Sequence, residues 1–216
     1  ALLPDIPYKL SDFAPISRHI IFPLVIAVRS EAPWKAFQDF IEDARRNPGK
    51  FKSGSDGGGT SLGWEYVLKH SNLKVAHIIY KGASPNFTAL LGEHIDISAI
   101  ASTPILPQLE AKKMRLLACS SRMKEFPDTP TLKELGYPEA SRDFWNGFLA
   151  PAGTPQTIIE KLSGTFERVI NKPFVSEQLR KIGVNPSYQG PEEFGNFLRK
   201  EYEIYTSWGQ QYKISE

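Results

Sequence analysis

Short apolar runs alternate with helix-like stretches over the first two thirds of the chain. The runs predict buried strands at residues 22–28, 51–53, 74–80, 95–100 and 114–119. Between them, helices are predicted around 34–44, at 61–70, from Ser84-Pro85 onward and at 104–112. Strands that alternate with helices in this way are typical of βαβ units built around a parallel sheet.

From Pro151 onward, apolar residues recur at helical spacing, and no predicted strands alternate with the helices. Thr154-Pro155 predicts the start of one helix, and Gly190-Pro191 predicts the start of the last one. The apolar face of the first of these helices is predicted to comprise Ile158, Leu162, Phe166 and Val169. Because the alternating region already supplies its own helices, we expect this C-terminal set to pack on a second body.

A run of three glycines separates the strand predicted at 51–53 from the helix predicted at 61–70. The segment reads Gly54-Ser55-Asp56-Gly57-Gly58-Gly59-Thr60-Ser61. Glycines accept positive φ and let the backbone approach a ligand closely. The start of the following helix offers unpaired N–H groups and the positive end of the helix dipole. Strand, glycine turn and helix start therefore predict a site for an anion.

This segment partly matches three more specific motifs. A phosphate-binding P-loop requires a lysine where the chain has Thr60, and the dinucleotide pattern requires a third glycine where it has Leu62. The nucleophile-elbow pattern of serine hydrolases is matched with Ser61 at its centre. It also requires an acid and then a histidine, and no Asp lies between Ser61 and His94. A hydrolase using Ser61 and a purely structural turn remain as alternatives to an anion site.

Composition narrows the classes of partner. The 216 residues, 41% hydrophobic and 23% charged, are typical of an ordinary globular protein of one or two domains. A net charge of +2 and the lack of a basic block with aromatics argue against nucleic acid as a partner. No apolar run approaches the roughly 20 residues that span a bilayer, so the chain is not expected to be membrane-embedded.

The single cysteine and the scattered histidines predict neither a disulfide nor a metal site. Cys119, the only cysteine, ends an apolar run and is expected to be a small buried thiol. His77 is interpreted as a packed strand residue rather than a ligand, and no cofactor is predicted. The opening Ala1-Leu2-Leu3-Pro4-Asp5 lacks the basic and apolar regions of a signal peptide.

Several segments taken in order resemble the solute-binding proteins of tripartite tricarboxylate transporters, also called the Bug family. Each segment is weak alone, and their order and spacing extend across nearly the whole chain. The segments are Tyr8-Lys9-Leu10-Ser11-Asp12-Phe13-Ala14-Pro15-Ile16-Ser17, Asn47-Pro48-Gly49-Lys50, the glycine run, Tyr80-Lys81-Gly82, Leu90-Leu91-Gly92, Ile95-Asp96, Met114-Arg115-Leu116-Leu117-Ala118, Pro127-Asp128-Thr129-Pro130-Thr131, Glu134-Leu135-Gly136, Trp145-Asn146-Gly147-Phe148-Leu149-Ala150-Pro151-Ala152-Gly153-Thr154-Pro155 and Trp208-Gly209.

The resemblance implies a periplasmic protein with the α/β fold of type II periplasmic binding proteins. Such a fold has two lobes joined by crossing strands, each with a parallel-rich sheet and flanking helices. Residues 1–22 and 148–216 are expected to belong to the first lobe, and residues 23–147 to form the complete second lobe. Relatives ordinarily begin with further residues that include a proline-glycine loop, so the first lobe is expected to be incomplete here.

The resemblance further implies a binding protein without catalytic activity. Its lobes would close by hinge bending on a small dicarboxylate, tricarboxylate or aromatic acid and present it to membrane transporter subunits. Relatives often place Asp or Asn after the strand at 95–99, where this chain has Ile100-Ala101-Ser102-Thr103. An amino-acid ligand, whose ammonium group needs an acid nearby, is therefore disfavoured.

The glycine run and the resemblance together predict which residues meet the ligand. The carboxylate is expected at the N–H groups of Gly58 and Gly59 and at neighbouring hydroxyls, with the next two strand ends lining the site. Lys81 either neutralises the anion or is solvated, and Trp145 either covers the ligand or packs the hinge. The candidate ligand-binding residues are Ser55, Gly57, Gly58, Gly59, Thr60, Ser61, Tyr80, Gly82, Ser102 and Trp145.

A second class of function shares this architecture. Transcription factors also use paired α/β lobes to sense effectors, so an effector-sensing regulatory domain is the main alternative to a transport protein. That alternative predicts a DNA-binding helical segment upstream of Ala1.

Overall fold

The computed structural model describes residues 7–212, and the expectation for Ala1 to Asp5 lies outside them. The chain divides into two compact units, with the breaks after Phe22 and after Phe144. One unit spans Pro23–Phe144, and the other combines the residues before it with those from Trp145 onward. The predicted second boundary, after residue 147, lies slightly late because Trp145 and Gly147 belong to a strand of the other unit.

The Pro23–Phe144 unit is built on a five-stranded mixed sheet. Its strands lie in the order β4-β3-β5-β2-β6. Strands β3, β4 and β5 are mutually parallel, and β2 is antiparallel to β5 and β6 on its two sides. The strands are β2 (Leu24–Arg29), β3 (Lys52–Ser55), β4 (Ala76–Ile79), β5 (Ile97–Ala101) and β6 (Met114–Cys119). The predicted α/β class is confirmed, with a mixed sheet in which two of the four strand pairings are parallel.

Helices cover both faces of this sheet. The odd and even residues of β2 contribute to different apolar clusters, Val25 and Ala27 to one and Ile26 and Val28 to the other. Burial on both faces is why this strand reads as a continuous apolar run. The helices are α1 (Phe37–Arg46), α2 (Gly58–His70), α3 (Ala83–Leu91) and α4 (Leu106–Glu110), with a 3-10 turn at Thr103–Ile105.

The other unit contains a three-stranded sheet that the sequence patterns did not reveal. Its strand order is β7-β1-β8, and β1 is antiparallel to β8. Helices α5 and α7 pack on β1, and α6 packs on β8. The elements are a 3-10 turn at Leu10–Asp12, β1 (Phe13–Phe22), β7 (Phe144–Pro151), α5 (Gln156–Ile170), α6 (Pro173–Lys181), β8 (Asn185–Gln189) and α7 (Pro191–Tyr212).

Helix α5 buries a different face from the predicted one. Ile159 is 2% exposed and packs with Ile16 and Ala150, whereas the adjacent Ile158 is 48% exposed. The hydroxyl of Ser163 lies 2.7 Å from that of Tyr188, so a polar contact to β8 helps to select the inward face. The predicted stripe is therefore wrong for three of its four members, and the exposed ones are Ile158, Leu162 and Val169.

Candidate functional site

Two helices of the Pro23–Phe144 unit begin where neighbouring parallel strands end. Gly57 precedes α2 with φ 87° and ψ 178°, and Gly82 precedes α3 with φ 100° and ψ 176°. This backbone conformation is essentially restricted to glycine. The helix predicted from Ser84-Pro85 onward begins at Ala83, with Gly82 at the cap position and Ser84 inside the first turn. The positive ends of two helix dipoles thus lie at one edge of the sheet.

The second and third of the three consecutive glycines lie in a helix rather than in a loop before it. Helix α2 already includes Gly58 and Gly59, three residues ahead of the predicted start at Ser61. The first-turn amides of any helix have no acceptor within that helix. Gly57, Gly58 and Gly59 are partly exposed, so the backbone at this turn reaches the surface.

Asp56 fastens the turn to the neighbouring strand and helix. Its carboxylate accepts hydrogen bonds from the Asn86 side chain at 2.6 Å and from the Ala101 amide at 3.2 Å. Burial raises the pKa of Asp56, and the two hydrogen bonds offset part of that rise. A Cβ at Gly54 would collide with Asn86, so glycine at this position in β3 permits the close approach.

The predicted hydroxyl groups are buried, and most are already hydrogen-bonded. Thr60 donates to the Gly57 carbonyl at 2.5 Å, which locks the turn, and the Ser55 and Ser61 hydroxyls lie 2.6 Å apart. Ser102 differs from them because its fully buried hydroxyl has no partner. It follows Ala101, the last residue of β5, whose amide donates to Asp56. A buried hydroxyl without a partner marks a position where a ligand or water would restore a hydrogen bond.

The structure adds two residues that sequence reasoning missed. His77 Nε2 lies 2.7 Å from Ser55 Oγ, and His77 Nδ1 lies 2.6 Å from Glu65 Oε1. The interpretation of His77 as a packed strand residue is confirmed, because it lies in β4 with a side chain that is 6% exposed. Its ring in addition bonds to Ser55, a residue of the predicted site. The available signal was Glu65 at position i+4 from Ser61, on the same face of α2.

These contacts change the comparison with a serine hydrolase. A search for Asp alone as the acid overlooks Glu65. Ser55, His77 and Glu65 have, in that order, the connectivity of a nucleophile, a base and an acid. Ser61, the predicted nucleophile, reaches the imidazole only through Ser55. Ser55 is fully buried and its oxygen already has two partners, so no exposed nucleophile is presented.

The remaining predicted residues divide between the two units. Tyr80 and Gly82 follow β4, and the Tyr80 amide donates to the Ser55 carbonyl at 2.9 Å. Lys81 between them is exposed. Trp145 lies in the other unit, with its ring centroid 5.4 Å from those of both Phe194 and Phe197.

The described residues also bear on the expectations for metal sites, membrane spans and the single cysteine. Residues 7–212 contain no group of three metal-ligating side chains and no helix long and apolar enough to cross a bilayer. Cys119 is buried as predicted, and burial raises the pKa of its thiol to about 11. A groove of about 370 Å³ lies elsewhere, in the unit that contains Trp145; its lining includes Leu10, Pro15 and Leu198.

Comparison with known proteins identifies the family to which this α/β fold belongs. The sequence profile described as the tripartite tricarboxylate transporter family receptor matches residues 2–207. A UPF0065 protein in the gbd 5′ region of Cupriavidus necator is 34% identical over 193 residues, which cover 85% of this chain and 58% of that protein. The chain belongs to this receptor family.

Solved structures agree with the family. One described as a periplasmic transporter superposes with a TM-score of 0.86 at 31% identity, covering 94% of this chain and 69% of that one. An R. palustris protein solved with adipate has the same fold, with a TM-score of 0.90 at 23% identity over 99% of this chain and 73% of that one. The chain spans less than two thirds of the length of the sequence relatives that it matches.

Proposed function

We propose that the protein is a periplasmic solute-binding protein that captures a small carboxylate for a tripartite tricarboxylate-type transporter. The observation that carries the proposal is the pair of helix starts at Gly57 and Gly82, at the edge of the sheet where Ser102, with its unpartnered hydroxyl, follows β5. Membership of the receptor family supports the same class of function. No catalytic role is assigned to any residue.

A carboxylate is the chemistry that suits this edge of the sheet. Helix dipoles stabilise an anion near their N-termini by up to about 2 kcal/mol in a partly buried setting. Hydrogen bonds from neutral donors to a charged acceptor contribute about 1.5–3 kcal/mol each. The ligand carboxylate would accept hydrogen bonds from first-turn amides such as that of Gly59 and from the hydroxyl of Ser102.

The candidate residues have different parts in this proposal. Gly57 and Gly82 shape the two turns, Gly58, Gly59, Thr60 and Ser61 form the first turn of α2, and Ser55 supports Ser61. Tyr80 lines the adjacent wall. Trp145 packs on α7, which supports its packing alternative over a role as a ligand cover.

The experiment is isothermal titration of the protein with adipate, malate and benzoate. We expect saturable binding of at least one of these acids, with stabilisation in thermal melts of about 2.7 kcal/mol at 100 times the Kd. Replacement of Ser102 by Ala should weaken that binding. The matched control is Ser53→Ala, because Ser53 is also fully buried with an unpartnered hydroxyl but sits earlier in β3.

Two results would count against the proposal. One is a lack of binding of all three acids by a folded protein. The other is an equal loss of affinity in Ser102→Ala and Ser53→Ala, since a general change in packing would then explain both.

A further inference from the structure

Four side chains form one continuous hydrogen-bonded chain that the proposed function leaves unused. It runs from Ser61 to Ser55 at 2.6 Å, from Ser55 to His77 at 2.7 Å, and from His77 to Glu65 at 2.6 Å. Both serines are fully buried, and the histidine side chain is 6% exposed. One of its two ends, Ser61, lies in the first turn of α2.

The Glu65 end of this chain fixes where one proton lies. The hydrogen bond from His77 is the main reason that the pKa of Glu65 is held below its usual range, and the positive charge of Lys69 acts in the same direction. An ionised carboxylate can only accept hydrogen bonds. Nδ1 of His77 therefore carries a hydrogen in both charge states of the ring, and only Nε2 changes.

The state of Nε2 determines the direction of every other hydrogen bond in the chain. When the ring is neutral, Nε2 accepts from Ser55, and the Ser55 oxygen accepts from Ser61. Ser61 then has no hydrogen left and presents only lone pairs. When the ring is protonated, Nε2 donates to Ser55 and Ser55 donates to Ser61. The hydroxyl hydrogen of Ser61 is then free to point to a further acceptor.

We propose that His77, held by Glu65, is a positioning residue that turns the Ser61 hydroxyl into a donor for the ligand carboxylate, so that binding is coupled to uptake of one proton. The inference rests on the proposed function, since it assumes an anion at the start of α2. The partly exposed turn and the unpartnered Ser102 give that position independent support. The proton goes from solvent to Nε2, and no bond to the ligand is formed or broken.

The other charged groups near the imidazole do not take over the role of His77 in reversing these hydrogen bonds. On α2 they are Glu65 and Lys69. On the neighbouring strand β3, Lys52 is exposed, and the carboxylate of Asp56 beyond its end is turned toward other partners. Within the chain of hydrogen bonds, the imidazole of His77 is the group that can gain or lose a proton at the atom facing Ser55.

The test is titration of the protein with adipate from about pH 6 to about pH 8.5, in buffers of different ionisation enthalpy. Both adipate carboxyls are mostly ionised over this range. We expect the Kd to rise with pH, toward about tenfold per pH unit at full coupling, with measured uptake of up to one proton. His77→Gln should bind with little pH dependence, because an amide N–H can donate to Ser55 at every pH.

The control variant is His94→Gln, since His94 is an exposed histidine outside this chain of hydrogen bonds. It should keep the pH dependence of the parent protein. Binding of adipate without proton uptake, or a pH dependence that persists in His77→Gln, would overturn the coupling and leave the proposed function intact. Absence of adipate, malate and benzoate binding at every pH would overturn both.

Discussion

Gly57 and Gly82 adopt the same backbone conformation at the ends of two adjacent parallel strands, and each is the residue from which a helix begins. Their φ angles are 87° and 100°, and their ψ angles agree within a few degrees at 178° and 176°. Parallel strands end at the same edge of a sheet, where open α/β sheets bind ligands. The repeated turn is the structural basis for placing an anion at this edge.

Gly82→Ala isolates the conformational requirement of one turn. A Cβ at Gly82 would meet nothing within 4 Å, so the cost comes from φ alone. We expect a loss of about 1–3 kcal/mol in the free energy of unfolding, measured by urea denaturation. Gly164→Ala is the control, because this glycine lies inside α5 with its Cβ position 3.7 Å from Arg168. Equal stability of the two variants would show that the turn is not constrained.

Asp56 should titrate above the usual range of an aspartate, because burial raises its pKa. The raised value means that the folded state holds the proton more tightly than the unfolded state. The ionisation of Asp56 therefore costs stability as the pH rises from its unfolded pKa past its folded pKa. Carbon-13 NMR of the carboxyl group measures the midpoint directly.

Asn86→Ala should raise the pKa of Asp56 further, because it removes the side-chain hydrogen bond that favours the charged form. Ser98→Ala is the matched control. It removes a hydrogen bond to the oxygen of Asn86 but leaves both partners of Asp56 in place. A midpoint unchanged by Asn86→Ala would contradict the assigned hydrogen bond.

Adjacent positions on α5 should respond very differently to truncation. Ile159→Ala removes a fully buried side chain and should cost about 2–5 kcal/mol of unfolding free energy. Ile158→Ala removes an exposed one and should cost about 0.5 kcal/mol or less. Thermal or urea unfolding of both variants checks the assignment, and a larger loss at Ile158 would restore the face predicted from sequence.

That reversal on α5 shows what periodicity can and cannot predict. The strand at 114–119 was predicted with its observed bounds because both faces of Met114–Cys119 are covered within one unit. Strand β1 was missed because its partner β8 lies far along the chain, and local pattern carries no information on such pairing. On α5, Ser163 faces inward and contacts Tyr188. A hydrophobic pattern treats a serine as evidence that its face is exposed, so it predicts the wrong face here.

Only those parts of the candidate site that depend on backbone conformation could be predicted from the sequence. Glycines between a strand and a helix indicate positive φ and exposed amides, so Gly57 and Gly82 could be proposed from sequence. His77 could not be placed, since its role depends on parallel pairing of β3 with β4, which sets it opposite Ser53 and within reach of Ser55. Side-chain networks across strands are tertiary features.

Glu65 should contribute to stability on the acid side. Its pKa is lowered mainly by the hydrogen bond from His77, so this contribution is present above its unfolded pKa and is lost as the pH falls through its folded pKa. We expect Glu65→Gln to flatten the acid limb of a plot of melting temperature against pH. Glu42→Gln, at an exposed position on α1, should leave the limb unchanged. An acid limb identical in Glu65→Gln and the parent protein would contradict the assignment.

The most direct test of the central claim is a crystal structure of the protein with adipate bound. We expect one adipate carboxylate at the start of α2, within about 3 Å of the Gly59 amide and of the Ser102 hydroxyl. Adipate seated elsewhere, for example in the groove that includes Leu10 and Leu198, with the glycine turn filled by protein atoms, would contradict it.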